Sequence, residues 1–596
     1  MLSDRGALHA DFRRASGIGE DAADDAAITE LLDNLGWNTE AIALATLASQ
    51  TRTVSEITAA LRRTADGEAD PRAGGSGPFD RLLEFGTRTY LDTELAEQRA
   101  WTALAIFTGT FDINQANRVL AAAGVDDSED AVGRLLEHGI VVRQSAPDRI
   151  RFLVPALFRL PALTTTAPWA AEVRAAARAG LRDWWMGRAR YVADTWFGPH
   201  QAALFGEIED SVETLQPLLT VSDPNDEGQI VEILCLLEPF WSWSSRADKA
   251  VDWIQAALDV SAPSAEIRFA ALWTMTWLAA TFDLTRAQRL LKDTEELFPA
   301  VAASSPGARA RLDRVVGLVA LYAGDGERAR RLFEQALANG DADGDDGQTV
   351  FTLSFLAAAA SLAGDQKLAY DYCERSIALC ERRGERWLKN FTLWAFALTS
   401  WRDGDRHRAY VLALDGIEAA TEINDLYAGA MCLEVAAWYE VEYGNPSVGT
   451  RVLGVADSLR MTVNFPTLLW GSKELHDEAV RAATAALGAR EFQKAFRPEG
   501  SFTLRDALGW LREAIAVSPT SPSGAARAVT QLTPRQREIA VLIAEGRSNK
   551  EIARLLLITL RTVETHIEHI FAKLNVQSRA QIAAWIAREG SPGHRG

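Results

Sequence analysis

Between Ser548 and Arg579 the chain collects hydroxyl, amide and charged side chains at helical spacing. Residues 560–574, placed at helical periodicity, put Val563, Ile567, Ile570, Phe571 and Leu574 on one apolar face. Arg561, Thr565, Glu568 and Ala572 fall opposite, flanked by Thr562, Glu564 and His569. A helix with a buried stripe and a free polar face can lie in the major groove of duplex DNA, where side-chain donors and acceptors meet base edges. Covalent chemistry has no comparable signal. No His, Ser or Cys has a spacing-defined partner, and acidic pairs such as Asp24-Asp25 and Asp345-Asp346 sit in polar, loop-like context. The expectation is a binding protein, not an enzyme, with no catalytic residue, cofactor or metal.

The elements that position this face are short, capped helices. Three helix starts pair a cap hydroxyl with Gln or Glu three residues on, which satisfies free backbone N–H groups reciprocally. They are Thr533 with Gln536 (and Pro534 at the first helical position), Ser548 with Glu551, and Ser578 with Gln581. Thr559 supplies a fourth cap without the acidic partner, and Gly546 closes the first helix. Leu532 to Arg588 therefore reads as four helices with a helix-turn-helix at the centre.

Over roughly its whole length this tract resembles the LuxR-type DNA-binding domain. The matching residues are Leu532-Thr533-Pro534-Arg535 with Glu538, Gly546-Arg547-Ser548-Asn549-Lys550-Glu551-Ile552-Ala553, Thr562-Val563-Glu564-Thr565-His566, Lys573-Leu574-Asn575-Val576 and Ser578-Arg579. The resemblance implies a DNA-binding set of Ser548, Asn549, Lys550, Arg561, Thr562, Glu564, Thr565, Glu568, Lys573 and Arg579. Within it, Lys550, Arg561, Thr562, Lys573 and Arg579 are the candidates for phosphate, contacts that set register more than sequence preference. It also implies double-stranded promoter DNA as partner, a homodimer on that DNA, and RNA polymerase as a further candidate partner. Two residues depart from the family pattern. Glu568 turns a carboxylate toward phosphates, although it can accept from cytosine N4, and Leu560 is apolar where a polar residue or proline is usual.

Net charge looks wrong for a DNA binder until it is divided. The 596 residues carry −19, yet residues 527–596 hold 11 Lys+Arg against 6 Asp+Glu, leaving −24 on the rest. An acidic body with a basic tail suggests that only the tail meets nucleic acid. Cys235, Cys373, Cys380 and Cys432 form no CxxC, and the eight histidines make no metal-spaced cluster. Cys373 and Cys380, seven apart, can share one buried helix face as reduced thiols. Met1 to Glu20 is polar and charged, unlike a signal peptide. No apolar run approaches the ~18–20 residues that span a bilayer. The expected location is the cytoplasm, away from membranes.

The middle of the chain repeats. Gly324-Asp325, Gly364-Asp365, Gly404-Asp405 and Gly444-Asn445 recur every 40 residues, and Ala329, Ala369, Ala409 and Gly449 keep the same spacing. Each Gly lies between two amphipathic stretches, so it frees a tight turn while the small residue lets the helices approach. Helix pairs on a fixed period make a solenoid, and the pattern resembles tetratricopeptide repeats longer than their usual ~34 residues. Weaker copies occur at Ser245 to Leu258 and Phe282 to Leu297. Trp184, Trp185, Trp196, Trp241, Trp243, Trp253, Trp273 and Trp277 could line a pocket, but at helical spacing inter-repeat core is the stronger reading, above all for Trp273 and Trp277.

Ahead of the repeats, helices lead into a strand-like pair, Ile140 to Arg143 and Arg149 to Leu153, which makes a winged-helix arrangement. The segment resembles the winged helix that follows the nucleotide-binding core of STAND ATPases, and Ile28 to Leu61 resembles the small helical lid of such a core. The core is absent: no GxxxxGK[ST] occurs to cradle phosphates and bind Mg²⁺. A relative that no longer hydrolyses ATP is expected, with the winged helix as a packing spacer. The reading is a mainly α chain: a helical remnant (1–64), a linker (65–78), a winged-helix-like module (79–167), tetratricopeptide-like repeats (168–516), a Pro/Ser/Gly tether (517–528), the LuxR-type domain (529–590) and a tail (591–596). The function expected is an ATP-independent transcriptional regulator whose repeats sense a small-molecule or protein ligand. The alternative is an interaction scaffold with weakened DNA binding.

Overall fold

The computed structural model describes residues 5–18, 22–49, 52–65, 77–145, 149–219, 228–305, 307–340, 346–462, 472–497, 500, 502–517, 534–556, 563, 566, 567, 570 and 578–589. Both linkers fall largely outside this set. The described residues are almost wholly helical, with one two-stranded sheet. They form two separate apolar cores, one running from Phe12 to Leu511 and one confined to Ile539–Ile582.

At the N-terminus, helices Arg5–Ser16, Ala22–Asn34, Thr39–Ala48 and Val54–Ala65 bury Phe12, Ile28, Leu31, Ile42 and Ile57. They share the first core with helices Pro78–Asp92 and Ala156–Thr164, so the Gly/Pro stretch between them divides the sequence but not the packing.

Next come helices Leu95–Leu104, Ile113–Ala122 and Ser128–Glu137, then strands β1 (Val142–Ser145) and β2 (Ile150–Leu153). The strands pair antiparallel, Val142 opposite Leu153 and Ser145 opposite Ile150. Phe111 adds a bridge to Phe152, through hydrogen bonds of 2.9 and 2.8 Å. Sequence reading started the first strand two residues early: Ile140 and Val141 are buried ahead of it.

The wing is committed to packing. Arg151, buried on β2, donates to the carbonyls of Thr110 and Asp210 at 2.6 Å each and to Ser211 Oγ at 3.1 Å. Gln115 Nε2 and the Trp185 indole both donate to Thr214 Oγ1 in the same buried seam. Such satisfied buried donors fix the wing against the first helices of the repeats. Helix Ser128–Glu137 carries Glu129, Asp130 and Glu137 against Arg134, which pairs with Asp130, a net negative charge that repels a phosphate backbone.

The repeats are helix pairs: Ala308–Tyr322 with Gly326–Gly340, Asp346–Leu362 with Gln366–Arg383, Trp387–Arg402 with Arg406–Ile423, and Leu426–Tyr443 with Pro446–Thr462. The second helices of the pairs begin 40 residues apart, as the Gly spacing requires. Gly324, Gly364 and Gly404 have φ of +87°, +85° and +90°, in the left-handed region that disfavours a Cβ. The Asp that follows each one has a role the spacing did not reveal. Asp325, Asp365 and Asp405 accept from the backbone N–H of Arg328, Leu368 and Arg408, capping the second helix. Gly444 departs from the pattern, with φ −117°, and Asn445 caps instead through Ser447 and Val448 N–H. Ala329, Ala369 and Ala409 are fully buried. Gly364→Ala meets no atom within 4 Å, so its cost is backbone strain alone, about 1 kcal/mol. Asp365→Ala should cost a similar amount, about 1 kcal/mol, for the lost cap. Urea unfolding followed by tryptophan fluorescence would read both; a neutral Gly364→Ala would show that the turn relaxes out of the left-handed region.

The superhelix also touches itself. Gln201 Nε2 donates to Glu385 Oε1 at 2.6 Å, and Gln201 Oε1 accepts from the N–H of Arg386 and Trp387. Beside this clasp, Trp243 stacks on Trp387 at 5.9 Å and Trp196 meets both edge-on. Burial holds the Glu385 carboxyl above its ordinary range. Trp185, Trp196, Trp241, Trp243, Trp273 and Trp277 are buried, while Trp184 and Trp253 are half-buried against the same core. The core reading of the tryptophans holds, and Trp273 and Trp277, stacked at 5.5 Å, additionally face cavities. Cys373 and Cys380 are buried on one helix, their thiol pKa values pushed up by burial. Among the described residues, no helix is long and apolar enough to cross a membrane and no group of ligands could hold a metal ion.

Candidate nucleic-acid interface

The second core is small. Ile539, Ala540 and Ile543 from helix Pro534–Ala544, Ile552 from helix Asn549–Leu555, then Val563, Ile567, Ile570 and Ile582 form its buried set. The 3.6-residue period that placed Val563, Ile567 and Ile570 inward is met; Phe571 and Leu574 lie outside the described residues.

Local chemistry sets the turn that presents the segment. Gly546, at φ +82°, ends the first helix, with Gly546 N–H on Ile543 O and Arg547 N–H on Leu542 O, a glycine C-cap. Ser548 then starts the next helix with a complete capping box. Its Oγ accepts from Glu551 N–H, and its own N–H donates to Glu551 Oε2 at 2.8 Å. The Ser548 backbone and hydroxyl donors hold Glu551 below the usual carboxylate range, so the carboxylate stays ionised within the box. Ser578 and Gln581 repeat the device at the last helix, Arg579–Glu589. Thr533 lies outside the described residues, as does Thr559.

Of the ten sequence-predicted contact residues, the described set contains Ser548, Asn549, Lys550 and Arg579. Arg561, Thr562, Glu564, Thr565, Glu568 and Lys573 fall outside it, together with Leu560. Ser548 and Lys550 are exposed at the start of helix Asn549–Leu555, where the helix dipole favours an anion. Arg554 is exposed one turn beyond Lys550. Sequence reading passed over it, although an i, i+4 pair of cations was visible. Arg579 has a second role beyond charge. Its guanidinium donates to Asn549 Oδ1 and to Arg547 O, both at 2.6 Å. The last helix is thereby tied to the turn before the second, and the Asn549 carboxamide is oriented by that bond.

Comparison with known proteins agrees with this geometry. Residues 530–586 match the family model of bacterial regulatory proteins, luxR family, so the C-terminal segment is a LuxR-type helix-turn-helix domain. A Mycobacterium tuberculosis protein provisionally designated an HTH-type transcriptional regulator is 33% identical over 161 residues, 27% of this chain and 18% of that protein. Most of that alignment lies outside 530–586. The nitrate/nitrite response regulator protein NarL of Escherichia coli is 49% identical over 63 residues, 11% of this chain and 29% of NarL. The chain thus spans under a third of each of these relatives. A signal transduction ATPase with numerous domains from Pyrococcus horikoshii, bearing a tetratricopeptide repeat sensor, overlaps 80% of this chain at 12% identity. The TM-score of 0.36 is too low to establish a common fold.

Proposed function

We propose that the chain is a transcriptional regulator that binds double-stranded promoter DNA through residues 530–586 and takes its input through the helical repeats, without ATP hydrolysis and without catalysing a reaction. The observation that carries this reading is the LuxR-type domain folded on its own core, with Ser548, Lys550 and Arg554 exposed on helix Asn549–Leu555 and at its start. The acidic body supports it from the other side, because a body of −24 adds no phosphate affinity and leaves recognition to the basic domain. Two copies on a pseudo-palindromic site would supply the affinity that one small domain lacks. Location in the cytoplasm and contact with RNA polymerase follow from this role.

A mobility-shift titration of the full chain against promoter fragments tests it. A salt-dependent, sequence-selective complex is expected. Lys550→Ala should weaken all sequences alike and flatten the slope of log K against log salt by about 0.9. Unchanged slope would remove Lys550 from the phosphate contacts. Failure of the full chain to give a complex with any promoter fragment would leave an interaction scaffold as the reading.

A further inference from the structure

A cavity of about 640 Å³ opens within the repeats, in the size range of small-molecule sites. Its charged lining is segregated by helix. Arg311 and Arg314 come from helix Ala308–Tyr322, whereas Glu232, Glu238 and Glu266 come from three neighbouring helices. Trp273 forms a flat wall whose indole N–H is spent on Arg311 O at 2.8 Å.

Two of these charges, Glu238 and Arg314, are buried, with 8% and 6% exposure. Carboxylate and guanidinium groups together in one cavity lining favour a charged ligand over a neutral one. Arg311 is exposed and, among the described residues, has no carboxylate within ion-pair distance. Glu232 is paired to Arg190 at 3.1 Å, Glu238 accepts from Ser242 Oγ at 2.6 Å, and Glu266 accepts from Ser304 Oγ at 2.7 Å. A purely anionic ligand would face three carboxylates, and a purely cationic one two guanidinium groups. A ligand with both charges and an apolar body complements the guanidinium side, the carboxylate side and the Trp273 wall together.

We propose that this cavity binds a small zwitterion of the amino-acid or short-peptide class. The carboxylate lies at Arg311 and Arg314, the ammonium at the glutamates, and the apolar side chain on Trp273. The proposal rests on the reading of the repeats as the input module and gives that input a chemical class.

Titration calorimetry on the full chain tests it, with L-leucine and the dipeptide Leu-Leu as probes and their N-acetylated and C-amidated forms as controls. Saturable binding of at least one free zwitterion is expected, weaker by ~10-fold or more when either end is blocked. Arg311→Gln and Glu266→Gln, both at exposed positions, should weaken it equally while the unliganded melting temperature stays unchanged. If neither probe binds at millimolar concentration, or blocked forms bind as well as free ones, the assignment is overturned. Which probe binds more tightly separates a free amino acid from a peptide. The same ligand added to the mobility-shift assay addresses the input reading separately: binding by calorimetry without any change in DNA affinity would keep the cavity assignment and sink the input role.

Discussion

Arg579→Ala should abolish DNA binding by the full chain and melt its C-terminal domain, while the unfolding transition of the repeats stays where it is. Both 2.6 Å bonds of the guanidinium cross about 30 residues of sequence, to Asn549 Oδ1 and Arg547 O. Hydrogen bonds to a charged group contribute roughly 1.5–3 kcal/mol each, so losing both costs about 3–6 kcal/mol. A domain of this length has a total stability of only about 3–9 kcal/mol, and among the described residues its core is eight buried side chains. The loss is therefore comparable with everything the domain has. Because that core is separate from the one spanning Phe12 to Leu511, the damage stays local. Arg579→Lys discriminates the two roles the residue could have. A lysine keeps the charge for phosphate but lacks the fork that reaches two acceptors, so it should restore little stability. Full recovery of both melting and DNA affinity by lysine would reduce Arg579 to a phosphate contact.

What sequence made legible here was what is local. Ser548 with Glu551 and Ser578 with Gln581 are three residues apart, and a cap needs nothing but its own turn. The Gly turns were equally readable, since a left-handed residue between two amphipathic stretches has few other meanings. Pairs distant along the chain left no such trace. Arg579 looked like one more basic residue because its acceptors lie 30 and 32 positions away. Gln201 and Glu385, 184 apart, carry no pattern that would join them, so the self-contact of the superhelix was invisible. Gly444 shows the reverse error: its spacing matches the other three turns, yet its backbone does not. Of the proposed DNA contacts, Arg561, Thr562, Glu564, Thr565, Glu568 and Lys573 lie outside the described residues and rest on the sequence alone.

Asp425→Asn should stabilise the repeats at pH 7 by about 1–3 kcal/mol and flatten their pH dependence below neutrality. Asp425 is fully buried, caps helix Leu426–Tyr443 through Ala428 N–H, and has its carboxyl pushed up by burial to about 6 from 3.8. Between pH 4 and 6 the folded chain consequently holds a proton that the unfolded chain has released. The stability this contributes is complete below about pH 4 and is lost as pH rises through 6, so at pH 7 the chain carries the cost of an ionised buried carboxylate. A shift of about two units corresponds to about 3 kcal/mol. The partner geometry points the same way. Asn390 Nδ2 reaches Asp425 only at 3.4 Å, and Asn390 Oδ1 is buried with no partner. An asparagine at 425 keeps the cap acceptor, since Asn and Asp cap almost equally well. It adds an N–H that Asn390 Oδ1 can accept and carries no charge to desolvate. Guanidinium unfolding followed by tryptophan fluorescence at pH 5 and pH 7 reads both effects. A lower midpoint for the variant at pH 7 would mean that the ionised carboxylate is needed where it stands, through interactions with the helix start that outweigh its burial.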